Sequence, residues 1–138
     1  MDDVLKVRDL SVTFHAEEGP VRAVSFSLQA GQTLGLVGES GSGKSVTTKA
    51  LVKLLQDVAQ IGAQSTIGYR DKAGTWLDIA SMPAKGSALR RLRGGEIGMI
   101  FQEPMASFSP VYTIGAHMVE TIRLHRKMSR RAARSTAI

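Results

Sequence analysis

"VGESGSGKSV" occupies Val37 to Val46. Gly38, Gly43, Lys44 and Ser45 fit the pattern G-x-x-x-x-G-K-[ST] position for position. A nucleoside triphosphate carries about four negative charges, so a site for one needs many donors in a small space. Glycines let the backbone bend back until successive N–H groups converge on an anion. A helix starting at the loop adds unpaired N–H groups and the positive end of its dipole. Lys44 can reach the β- and γ-phosphates as a point charge, and the Ser45 hydroxyl can bind Mg²⁺. The plain alternative is a glycine-rich turn with no ligand.

The flanks decide between the two. "TLGLVG" (Thr33 to Gly38) is nearly continuous in apolar residues, the pattern of a strand covered on both faces in a parallel sheet. "SVTTKALVKLLQDV" (Ser45 to Val58) places Val46, Ala50, Leu51, Leu54, Leu55 and Val58 at helical spacing. A loop between a buried strand and a helix is the context a phosphate loop requires.

Further out, Leu5 to Phe14 alternates apolar and polar residues and predicts a strand. His15 to Pro20 predicts a turn broken by Gly19 and Pro20. Val21 to Ala30 predicts a second strand, ended by a turn at residues 30–32. Ser65 to Arg70 and Thr75 to Ala80 flank "DKAG" and predict a hairpin. Met82 to Gly95 reads as a loop and short helix stopping at Gly94 and Gly95. "EIGMIFQ" (Glu96 to Gln102) reads as a second apolar strand and "EPMASFSP" as a loop. Ile114, Met118, Ile122 and Leu124 lie near helical spacing, and Ser129 is placed to cap a further helix.

Bulk properties exclude several classes. With 138 residues the chain can bury one core. It has no cysteine, hence no disulfide and no thiolate metal site, which favours a reducing compartment. "MDDVLKVRDL" lacks the basic and apolar regions of a signal peptide. No apolar run approaches the ~18 residues of a membrane span. The net charge of +6 is local: residues 1–120 balance twelve bases against twelve acids, while residues 121–138 carry six bases and no acid. That tail reads as a helix with a solvated basic face, rather than a nucleic-acid footprint spread over a fold.

Two strands before the loop, and "FQEPMASFSP" with Gln102 57 residues after Ser45, are similar to the nucleotide-binding subunits of ABC transporters. "VRAVSFSLQAGQTLGLVGESGSGKSVT", "IGMIFQEPM", "SPVYTIG" and "LHRKMSRRAAR" resemble, more narrowly, the oligopeptide/dipeptide and nickel importer ATPases. The resemblance runs along essentially the whole chain. It implies an α/β P-loop NTPase fold: an antiparallel β-subdomain beginning over residues 1–32, a P-loop core with an inserted β segment over 33–102, and the start of a helical subdomain over 103–138. It makes Gly38, Glu39, Ser40, Gly41, Ser42, Gly43, Lys44, Ser45 and Val46 the Walker A loop around ATP. Gln102 takes the place of the Q-loop glutamine, which touches Mg²⁺ and the attacking water, so that Lys44 and Gln102 are the catalytic candidates and Ser45 and Gln102 the metal contacts. Phe14 falls at the aromatic that stacks on adenine; taken alone it reads as a core residue. Val46 replaces a common threonine, which removes a side-chain contact to the α-phosphate but leaves the backbone N–H. "RAVSFSL" (Arg22 to Leu28) is about three residues shorter than the family's usual strand–turn–strand.

The resemblance further implies ATP and Mg²⁺ as cofactors and a second ATP-binding subunit packed head to tail. Permease subunits would be reached through the Q-loop region, and a solute-binding protein indirectly; nucleic acid is not expected. It places the chain peripherally on the cytoplasmic face of the inner membrane. Nothing in residues 103–138 resembles a signature loop, a Walker B Asp-Glu or a switch histidine; His117 and His125 come too early. The chain therefore reads as an N-terminal portion of an importer ATPase, expected to bind ATP weakly and not to turn it over. Two other readings stay open: a non-catalytic nucleotide-binding fragment, and a soluble ABC-type ATPase acting on nucleic acid.

Overall fold

The computed structural model of the chain describes residues 2–15, 17–103 and 108–138. In chain order it contains β1 (Asp3–Phe14), β2 (Glu17–Gln29), α1 (Lys44–Leu51), β3 (Ala59–Ile61), β4 (Thr66–Arg70), β5 (Trp76–Asp78), α2 (Ser87–Leu92), α3 (Ile114–His125) and α4 (Arg130–Ala137). Two compact units result, Met1–Arg90 and Arg91–Ile138. Of the loop expected after Gln102, residues 104–107 lie outside the described residues.

In the first unit every strand pairing is antiparallel and β1 organises them. One edge of β1 carries β2; the other carries β4 and β3, and β5 extends the sheet beyond β4. Val7, Leu10 and Val12 are buried, although strict alternation would put residues 7 and 10 on opposite faces. A register shift between Val7 and Leu10 resolves this, with Asp9 at φ 49° as the extra residue. Serine hydroxyls replace the ladder partners lost there. The Asp9 N–H donates to Ser25 Oγ (2.9 Å), the Ala23 N–H to Ser11 Oγ (2.9 Å), and the Ser11 N–H to Ser65 Oγ (3.0 Å). Ser65, itself buried, donates to the Asp9 carbonyl at 3.0 Å. Val21, Val52, Ile67, Ile79 and Leu89 join the buried set, and α1 adds Thr47 and Ala50.

Several expectations hold. The hairpin of β4 and β5 closes through Asp71–Gly74, with Gly74 at φ +85° and the Gly74 N–H donating to the Asp71 carbonyl at 2.9 Å. Ser129 caps α4, accepting from the Ala132 N–H at 3.2 Å; Thr113, which the sequence reading did not single out, caps α3 in the same way, accepting from the Ala116 N–H at 3.2 Å. These two helices pack in the second unit and bury Val119 and Ala133.

Four expectations are corrected. First, Glu17 to Pro20 is strand, not turn. Gly19 and Pro20 sit where the register jumps from Thr13↔Glu18 to Val12↔Val21. A Cβ at Gly19 would stand 2.0 Å from the Val12 carbonyl oxygen, so only glycine fits. Proline, lacking an N–H, is tolerated at such a bulge.

Second, α1 stops at Leu51 instead of running to Val58. Lys53 takes φ 50°, the Leu54 N–H donates to Lys49 O and the Lys53 N–H to Ala50 O, both at 2.9 Å. That is a Schellman closure. It frees residues 59–61 to form β3, which the helical periodicity had concealed.

Third and fourth, neither apolar run is a strand. Residues 33–38 pair with nothing, and Leu34, Leu36 and Val37 are 45%, 39% and 97% exposed. Around 96–101 there is a single parallel bridge, Arg93↔Ile97, with Ile100 at 96% and Phe101 at 41% exposure. A parallel strand receives its neighbours through crossovers of a dozen residues or more. Among the described residues no strand arrives beside these runs.

Candidate functional site

The glycine-rich loop is built as a bend. Gly41 and Gly43 have φ of +81° and +88°, where only glycine is unstrained. A Cβ on Gly38 would lie 2.6 Å from Ser42 Oγ, so the loop closes over itself at its first glycine. The Ser42 N–H donates to the Glu39 carbonyl at 3.2 Å. Gly43 is buried against the bulge of β2: a Cβ there would meet the Pro20 carbonyl oxygen and Val21 Cγ2, each at 2.9 Å. The left-handed Gly43 is also the N-cap of α1 and supplies no side-chain acceptor to the first turn. A left-handed residue followed by helical ones points consecutive amides into one concavity.

Lys44 opens α1 and folds back across the loop. Its Nζ donates to the carbonyls of Gly38 (2.6 Å) and Glu39 (2.5 Å) and to Ser42 Oγ (3.2 Å). The ammonium thus sits on the loop itself, at the place where phosphate oxygens would be met. Glu39 and Ser40 are exposed, as is Ser45; Val46 is half-buried. A hydroxyl exposed at the first turn of α1 suits a hydrated divalent ion accompanying a phosphate chain. Among the described residues no group of three or more His, Cys, Asp or Glu could hold a metal on its own. The Ser45 hydroxyl is a donor of the kind that could join phosphate oxygens and waters around Mg²⁺.

Phe14 ends β1, half-buried, opposite Glu17 and Ala59. A Cβ on Gly19 would be 3.1 Å from Phe14 Cδ2, and Pro20 touches Gly43. One bulge therefore backs both the aromatic ring and the phosphate loop. Gln102 lies in the other unit and is exposed, within a bend beside Phe101.

Two sets of contacts that the sequence reading left out hold the loop and the helix that follows it. The Pro20–Val21 step carries no signal toward Gly43, because the contact is long-range. Lys53 sits at the end of α1, and its Nζ donates to the carbonyls of Ala80 (2.7 Å) and Met82 (2.6 Å), tying α1 to the segment after β5. A cation at a helix C-terminus is a legible signal; its acceptors are not.

Comparison with known proteins fits this geometry. Residues 21–137 match the ABC transporter family. The chain is 44% identical over 138 residues to the glutathione import ATP-binding protein GsiA of Pectobacterium atrosepticum, covering 98% of this chain and 22% of the relative. It is 42% identical over 134 residues to GsiA of Escherichia coli O1:K1, covering 95% and 21%. A Brucella melitensis protein, named for peptide import ATP binding, is 43% identical over 139 residues, covering 98% of this chain and 40% of the relative. The chain thus spans about a fifth of the length of the first two and two-fifths of the third. The glycine-rich bend carries the G-x-x-x-x-G-K-[ST] pattern, and the family match across most of the sequence leads to one assignment: the chain belongs to the ABC transporter family.

Proposed function

We propose that residues 38–46 bind the phosphates of ATP, and that the chain serves as ATP-binding part of an importer for peptides or related small solutes such as glutathione. The observation that carries this reading is the position of Lys44. Its ammonium rests on two carbonyls and a hydroxyl of the same loop. A phosphate oxygen offers it a full negative charge instead, and charge-assisted bonds of that kind are roughly twice as strong as neutral ones. The amides of the Gly41–Lys44 bend take further oxygens, and the start of α1 adds its dipole. Ser45 would hold Mg²⁺ through its hydroxyl, and the metal would supply positive charge against the phosphates. Phe14 offers a face to the base.

In the same reading Gln102 contacts the metal and positions the attacking water. The working unit pairs two ATP-binding subunits head to tail on the cytoplasmic face of the inner membrane, against permease subunits and, through them, a solute-binding protein. The names of the relatives support import of glutathione or peptides. No helix among the described residues is long and apolar enough to cross a membrane, which is consistent with a peripheral part. The sequence of residues 103–138 contains nothing that resembles a signature loop, a Walker B Asp-Glu or a switch histidine, so binding without steady turnover is expected of these 138 residues.

Calorimetric titration with ATP, with and without Mg²⁺, tests the reading. Binding should be tighter with Mg²⁺, and Lys44→Ala should weaken it about 10- to 100-fold, the worth of one charged hydrogen bond. Equal affinity in the variant, or steady phosphate release that disappears in it, would contradict the proposal as stated.

A further inference from the structure

Residues 121–138 of the second unit carry six cations that the nucleotide reading does not use. Arg123 lies in α3, Arg126 and Lys127 follow it, and Arg130, Arg131 and Arg134 lie in α4. All six are exposed. Residues 121–138 contain no acid to offset them, and none of the six forms an ion pair among the described residues. Like charges crowded over twelve positions repel one another, and the nearest acid on the same helix is Glu120, before the cluster begins. Such a surface gains by meeting a polyanion.

We propose that this surface binds the anionic face of a lipid bilayer. Three observations choose lipid over nucleic acid. No Phe, Tyr or Trp occurs between Thr121 and Ile138, so none is interleaved with the six cations as a stacking platform for bases. Large apolar side chains stand out among the cations instead: Leu124 is 75% exposed, Met118 43% and Ile138 99%. A cavity of about 450 Å³ is lined by Arg130 and Arg134 together with Met118, Val119, Ala137 and Ile138. Guanidinium groups beside an apolar lining suit an amphiphile, a charged headgroup attached to hydrocarbon. Clusters of four to eight basic residues on a helix are the size that holds a protein to anionic lipid, each worth roughly a fivefold change in partitioning.

The inference is independent of ATP binding, and its test is too. The full chain is sedimented with vesicles of phosphatidylcholine alone and of phosphatidylcholine with phosphatidylglycerol, at low and high salt. Binding should require phosphatidylglycerol and fall with salt, as screening demands. R130Q/R131Q/R134Q should lower partitioning about 100-fold, while K72Q/K85Q, which remove two exposed charges from the first unit, should change it little. Leu124→Ser should weaken binding less than the triple change. Unchanged far-UV dichroism in the triple variant separates lost charge from lost fold. Equal binding to neutral vesicles would overturn the proposal, since the exposed apolar runs would then account for it. Displacement by single-stranded RNA at concentrations below those of the lipid, with the same dependence on the arginines, would overturn it in favour of nucleic acid.

Discussion

The antiparallel sheet around β1 and the two apolar runs at residues 33–38 and 96–101 both read as strands in the sequence and meet opposite fates. Val7, Leu10, Val12 and Ile67 are at most 2% exposed, whereas Val37 and Ile100 are nearly fully exposed. The difference lies in where hydrogen-bond partners come from. β1 meets β2 through a two-residue connection, and β4 meets β5 through Asp71–Gly74. Antiparallel neighbours can arrive by such tight turns; parallel neighbours cannot. Hydrophobicity makes a run able to be a strand, and only a neighbour makes it one.

The largest expected consequence is in stability. Leu10→Ala removes a side chain with no exposed surface from the centre of the sheet and should cost about 2–5 kcal/mol. Leu36→Ala, the same chemical change in an unpaired run, should cost well under ~1 kcal/mol. Urea unfolding followed by the single tryptophan, Trp76 in β5, reads both. Similar losses would break the comparison.

Next comes the joint between sheet and loop. Gly43→Ala should lower ATP affinity and cost about 1–3 kcal/mol of stability, because alanine at φ +88° is strained and its Cβ meets the Pro20 carbonyl. Gly41→Ala, strained but with nothing within 4 Å of its Cβ, should cost less. Calorimetry and urea unfolding together separate the two.

Smaller again, Ser65→Ala leaves the Ser11 N–H and the Asp9 carbonyl without the hydroxyl that joins them. A loss of roughly 1–3 kcal/mol is expected, as for a buried polar group left unpaired. Ser129→Ala removes the cap of α4 and should cost about 1 kcal/mol, visible as faster amide exchange at Ala132 with no change in the first unit.

The sequence was most legible where structure is local. Walker-type spacing, the DKAG hairpin, the Ser129 helix start and the glycine stop after α2 each depend on a few adjacent residues. It was least legible where a distant partner decides. The apolar positions Leu54 and Val58 continue a helical period, yet a Schellman turn at Lys53 ends the helix and releases residues 59–61 to pair with Val12 to Phe14. Gly19 and Pro20 read as breakers because the bulge that accommodates them depends on the Val12 carbonyl across the ladder. In the site, the glycines and Lys44 were legible by type. That Pro20 backs Gly43, and that Lys53 ties down α1, was not, since neither contact leaves a periodic trace.

The central claim is that the bend from Gly38 to Ser45 is an anion cradle held in readiness by its own lysine. Amide NMR during titration with MgATP tests it most directly. The account predicts large, saturable shifts at Gly41, Gly43 and Lys44, with the Lys44 ammonium leaving the Gly38 and Glu39 carbonyls, and none of this in Lys44→Ala. Saturable ATP binding that leaves those three amides unmoved, or that persists unchanged in Lys44→Ala, would contradict it.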